Sequence, residues 1–313
     1  MRLTLRNIPN LMLAFLPMVI AYNGNGIFIT LLCMILWLIT QIMIICYLLL
    51  FSKPKDDRVI LNTLPISHHV EKVRWCMDKS GMVYEEEKDI GIFWIIMTGR
   101  MVPTLKIPKY NISISNSSDI LKYLYANLLI QDEEKAKFMK PSAKSREMEI
   151  KIEKMGNNLR VYLYYHILVE NRNFEALALK TWGIHEENIP VWQKIILKVT
   201  LPLLRQFIIK VLKVNKENAD SELKKAKQFF EETDKILSQN EFLLGTEDPT
   251  YIDLAFASLA SLLALPDQYG GSKLSPNSRL KLTDFSHELQ DIMKKFRSTT
   301  SGKFVNKMYV EYR

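Results

Sequence analysis

Residues 27–51 read IFITLLCMILWLITQIMIICYLLLF, an unbroken apolar run without charge in which only Thr30, Thr40 and Gln41 are clearly polar. About 20 apolar residues rising ~1.5 Å each span a ~30 Å hydrocarbon core, so the run predicts a transmembrane helix. It is longer than the roughly 7–15-residue core of a secretory signal and ends on Ser52-Lys53-Pro54-Lys55, a stop-transfer boundary. A shorter apolar run, residues 11–22 with Pro17, precedes it across Asn23-Gly24-Asn25-Gly26. A helical hairpin would place Arg2, Arg6, Lys53 and Lys55 on one face, a single span would oppose the two pairs, and an acid-poor start also fits an organellar transit segment. All three stay open. Residues 1–55 are read as a hydrophobic anchor.

Beyond the anchor the periodicities change to those of a folded protein. Val59-Ile60-Leu61-Asn62 reads as a strand, and apolar positions from Val70 to Met77 recur at helical steps until Gly81. A second strand is expected around residues 82–85, then two strands at 101–107 and 111–114 joined by Pro108-Lys109-Tyr110, then a helix over 119–128. From Glu134 onward the pattern is helical throughout, over residues 145–171, 191–214, 221–239, 251–265 and 280–295. Strand, helix, strand, hairpin and closing helix is a thioredoxin-like order. The expected architecture is an N-terminal transmembrane helix, a thioredoxin-like α/β domain over 56–130 and an all-helical domain over 131–313.

Charge and cysteine usage narrow the classes. The net charge of +8 is modest, and no basic run with interleaved aromatics points to nucleic acid. Of the three cysteines, Cys33 and Cys46 fall in the apolar run and Cys76 stands alone, on the apolar side of a helix, where packing is its expected role. Without a disulfide framework, a reduced compartment, cytosol or mitochondrial matrix, is expected for the domains of an integral membrane protein. The sequons at Asn111 and Asn116 would be acceptors only on the lumenal side. Residues 191–214 carry five cations and no acid among large apolar side chains. Two readings stand: a helix pair around Pro202 buried in the helical domain, or a basic amphipathic surface against a bilayer. His166, His185 and His287 are isolated, so no metal site is expected.

The stretch Pro65-Ile66-Ser67-His68-His69-Val70-Glu71-Lys72-Val73-Arg74-Trp75 resembles the first strand–helix junction of the glutathione transferase superfamily, in particular a bacterial-type branch. Val102-Pro103-Thr104-Leu105, Asn116-Ser117-Ser118-Asp119, Phe242-Leu243-Leu244-Gly245 and Thr250-Tyr251-Ile252-Asp253 continue the likeness over roughly residues 58 to 300. Thr250 and Asp253 also form a capping-box variant with a folding role.

The resemblance implies that glutathione is a co-substrate, with Ser67 as the catalytic residue at the sulfur. Thiolate is the reactive form of a thiol, and a helix N-terminus favours an anion; Ser67 is equally well suited to plain N-capping. His68 and His69, near the helix start, are candidates for a further donor, His69 being taken as the ligand contact; the resemblance implies glutathione contacts from Val102 ahead of a cis-Pro103, and from Asn116 and Ser117, where many relatives carry an acid followed by Ser. Asn at 116 removes a charge-assisted contact to the ammonium of glutathione. Two functions follow: a membrane-tethered transferase adding glutathione to a hydrophobic electrophile, or a non-catalytic subunit of this fold in a membrane assembly. A glutathione-dependent reductase is disfavoured by Ser rather than Cys at 67. Expected partners are the lipid membrane and either a second copy or other membrane-protein subunits.

Overall fold

The computed structural model describes residues 35, 58–90, 102–171 and 174–313. Strand β1 (Val59–Thr63) leads into α1 (His68–Ser80) and β2 (Tyr84–Lys88); β3 (Thr104–Ile107), β4 (Ile112–Ser115) and α2 (Ser117–Gln131) follow. The sheet order is β2-β1-β3-β4. β1 and β2 are parallel, which demands a crossover, and α1 supplies it. β3 runs antiparallel to both β1 and β4. α1 stops where Gly81 takes φ 71°, and the amides of Gly81 and Met82 close the last turn on Asp78 and Met77. Leu61, Leu105, Val73, Met77, Ile120 and Leu124 are buried in the core between sheet and helices.

The register decides what shares an end of this sheet. Thr104 lies opposite Asn62 on one side and Ser115 on the other. The turn after β1, the residues before β3 and those after β4 therefore crowd together, bringing residues 64–67, Val102-Pro103 and Asn116-Ser117 to one edge.

The helical part comprises α3 (Ala143–Tyr165), α4 (Phe174–Thr181), α5 (Val191–Val211), α6 (Lys216–Leu237), α7 (Tyr251–Ala264), α8 (His287–Ser298) and α9 (Thr300–Glu311). α3 runs on into a π-helical turn, His166–Glu170. α7 is the centre: all but one of its residues are buried, and its apolar composition needs that environment. Its start is held by Asp253, which accepts from the Thr250 and Leu243 amides at 2.8 Å each.

Two expectations need correction. Among the described residues no helix is long and apolar enough to cross a membrane, so the transmembrane element drops out of the fold class, and the integral-membrane localisation with it. The physical reason is length against charge. α7 is apolar but has only 14 residues, and the 21-residue α5 carries Lys194, Lys198, Arg205 and Lys210. The apolar run at 27–51 lies outside the described residues apart from Ile35. The second correction concerns residues 191–214, of which Val191–Val211 form one helix through Pro202 rather than a pair around it.

Candidate functional site

α1 begins at residue 68 because the backbone before it turns without help from a side chain. The Ser67 amide donates to the Leu64 carbonyl (3.0 Å), and the Ser67 carbonyl accepts from the Glu71 amide (2.9 Å). Ser67 is extended, with φ −71° and ψ 123°, and its hydroxyl makes no capping hydrogen bond. The Oγ is thus spared at the helix end whose free N–H groups and dipole favour an anion.

At the same sheet edge the Val102–Pro103 peptide is cis. Pro103 is buried and Val102 half-buried. Asn116 holds φ 80° and ψ 127°, a left-handed conformation costly for a side-chain-bearing residue, and its Oδ1 caps α2 by accepting from the Ser118 amide at 3.1 Å. Strain of this kind is kept where the surroundings over-determine it, and functional sites are enriched in it.

α3 completes the edge with two carboxylates one turn apart, Glu149 and Glu153. The buried Lys72 ammonium lies 2.7 Å from Glu153 Oε1, 2.9 Å from Glu149 Oε1 and 3.3 Å from Ser118 Oγ. His69 Nδ1 sits 3.2 Å from Glu153 Oε2. Ser117 Oγ makes a long 3.5 Å contact to Glu153, and Ser118 Oγ donates to Glu149 at 2.8 Å. Burial works to raise the Glu153 carboxyl, but the His69 hydrogen bond and the Lys72 charge outweigh it and hold it well below the usual range. Burial likewise works to lower Lys72, and Glu153 and Glu149 raise it above the ordinary value. One ammonium against two carboxylates leaves a net negative charge, with Glu153 still partly open to solvent.

His68 is different. Burial, then the neighbouring His69 and Arg160, push it well below its ordinary pKa, keeping the ring neutral. Its Nε2 is buried without a hydrogen-bond partner, and its ring centroid lies 4.3 Å from that of His69.

Of the residues singled out in the sequence, His69 and Ser117 meet on Glu153, and Ser67, Val102, Pro103 and Asn116 share the sheet edge by register. Glu149, Glu153 and Lys72 went unassigned. The four-residue spacing of the glutamates on a helix expected over 145–171 was their one local signal. The arrangement offers an anion site at the start of α1 and a negative patch beside it. Cys76 is fully buried, and burial pushes its thiol up to about 12, a packed rather than reactive cysteine. A cleft of about 320 Å³ lined by His166, Glu170, Phe285 and Ser286, among others, includes none of these residues.

No family model matches the sequence, and no curated protein does. Several solved structures are similar at low identity. Glutathione transferase GSTFuA3 from Phanerochaete chrysosporium is 16% identical, with a TM-score of 0.49 over 82% of this chain and 97% of its own. The β-etherase LigF from Sphingobium sp. strain SYK-6 is 15% identical, with a TM-score of 0.44 over 79% and 98%. A glutathione transferase from Methylobacterium radiotolerans, in complex with glutathione sulfonate, is 14% identical, with a TM-score of 0.43 over 79% and 93%. The described residues themselves form a β2-β1-β3-β4 sheet in thioredoxin-like order followed by an all-helical part. Similarity at this level carries no role over to the chain, and function is argued from the site.

Proposed function

We propose that the chain binds glutathione as thiolate at the start of α1, with Ser67 Oγ donating to the sulfur, and adds it to a hydrophobic electrophile. The thiolate attacks an electrophilic carbon, a C–S bond forms, and the electron pair leaves with the departing group or is protonated. The observation that carries this reading is the Ser67 hydroxyl, which the helix does not use as a cap. In this reading the Val102 backbone beside Pro103 faces the peptide part of glutathione. Asn116 and Ser117 face its γ-glutamyl end, where the negative patch around Glu153 takes over the attraction for the ammonium that a carboxylate at 116 would provide. His69 fixes the Glu153 carboxylate.

The test is calorimetric titration of the full chain with glutathione, wild type against Ser67→Ala, with thiolate absorbance read in parallel. Micromolar to low-millimolar binding with the thiolate signal lost in Ser67→Ala is the expected result. Binding without thiolate in the wild type would favour the non-catalytic subunit, a reading that draws on Asn116 in place of an acid. No binding at all would overturn both the site and its chemistry.

A further inference from the structure

α5 is apolar on two faces. Leu197, Leu201 and Leu204 turn inward and are buried with the helical core. Val191, Ile195, Val199, Leu203, Phe207 and Val211, each four residues from the next, are 58–73% exposed. At 3.6 residues per turn each step of four advances about 40°, so Val191, Ile195, Val199 and Leu203 share the outer side opposite the buried leucines, while Phe207 and Val211 wind on toward the inner side, along a helix about 30 Å long at ~1.5 Å per residue. Monomeric proteins rarely leave contiguous apolar patches of that extent open.

The charges around the row select what covers it. Residues 191–214 contain no acid. Lys194 and Arg205 turn back to the body of the protein, donating to the Glu186 and Leu168 carbonyls. Lys198, Lys210 and Lys213 are exposed. In a two-fold contact this face would meet its own copy, setting these lysines against one another, whereas an anionic surface would meet them with opposite charge. An exposed apolar row flanked by Lys198 and ending on Lys210 and Lys213 is the composition of helices that lie in a lipid interface.

We propose that the outer face of α5 docks on an anionic lipid surface, the apolar row entering the headgroup boundary and Lys198, Lys210 and Lys213 contacting acidic headgroups. The contact is peripheral, made by the side of a folded domain, and no segment crosses the bilayer in it. It stands apart from the glutathione reading: either can hold while the other fails.

The experiment is hydrogen exchange of the full chain, alone and with vesicles of phosphatidylcholine or of phosphatidylcholine mixed with phosphatidylserine, followed in peptides covering residues 191–213. The local readout keeps contact by any other part of the chain from counting. Slower exchange in these peptides on the anionic vesicles, weakening at high salt as screening shortens, is the expected result. Each lysine near an anionic leaflet strengthens partition roughly fivefold, so Lys198→Gln should weaken the effect by about that factor. Leu203→Asp should abolish it. Both side chains are exposed, and unchanged exchange in α7 would show the fold intact. Equal protection on neutral and anionic vesicles, or none on either, overturns the proposal. So does protection without lipid that rises with protein concentration, which would mark a second copy as the occupant.

Discussion

The two sides of α1 are built from interleaved residues of one short stretch and have opposite characters. On one side Glu71 and Arg74 are both fully buried and 2.7 Å apart. Arg74 also takes Glu86 at 2.6 Å, and Glu71 accepts from Arg313 Nε at 2.8 Å and from the Gly270 amide at 3.1 Å. On the other, Lys72 is buried, but the carboxylates it holds reach solvent. Ser67 makes no capping bond there, and His68 Nε2 has no partner. Charges that the protein satisfies from within are structural; groups left over at the rim are what a ligand can use. The contrast assigns Glu71 and Arg74 to folding and Ser67, His69 and Glu153 to the site, although all but Glu153 stand in the same motif.

The largest effect should come from the closed side. Arg74→Met leaves Glu71 and Glu86 short of a buried counter-charge, and removing one partner of such a pair costs about 3–5 kcal/mol. Urea denaturation of wild type and variant measures it; a loss below ~1 kcal/mol would mean the pair is not a fold determinant.

Ser67→Ala should do the reverse. With no cap bond to lose, its stability should change by less than the ~1 kcal/mol of a working N-cap. A lost hydrogen bond to the charged sulfur, about 1.5–3 kcal/mol, should raise the pKa of bound glutathione and weaken thiolate binding roughly 10- to 100-fold. A thermal shift large enough to match Arg74→Met would erase the distinction between the two sides.

How much of this was visible in the sequence follows the same division between local and distant. The stop of α1 was legible because Gly81 acts within a turn of itself, whereas Ser67 marks the start without its hydroxyl capping it. Lys72 and Glu153 meet only in the folded chain, and nothing near either announces the partner. α9 was missed for another reason. Its opening Thr300-Ser301-Gly302 has weak helix propensity, and the helix is held by Phe304, Val305, Met308 and Tyr309 buried in the core. Gly302 is required there, since a Cβ would come 2.0 Å from the Phe296 carbonyl oxygen. Pro202 misled in the opposite direction, marking a break where tertiary packing carries one helix through.

Burial works to raise Glu71, but Arg313 and Arg74 outweigh it and hold the carboxyl below its ordinary 4.5, and Glu153 is depressed from the same value. A depressed folded pKa gives stability that is fully present above the unfolded value and is lost as pH falls through the folded one. Stability should therefore decline below about pH 4.5. Glu153→Gln should flatten part of that decline and cost about 1–2 kcal/mol at neutral pH, as a hydrogen-bonded charge at a partly open position. An unchanged acid profile in this variant would remove Glu153 from the network.

The smallest effect is the one expected of Cys76, one turn after Lys72 on α1. Its thiol is fully buried and raised by that burial to about 12, so at neutral pH almost none is thiolate, the form that reacts. Iodoacetamide should leave Cys76 unmodified in the native chain and alkylate it once denaturant is added, as peptide mapping of that position would show. Alkylation under native conditions would mean that the core around α1 opens, and the division between satisfied charges and a usable rim would then need a third, dynamic category. Protection of Cys76 with Ser67 still accessible to glutathione would show both states within one helix: a sealed thiol in its middle and an anion site at its first turn.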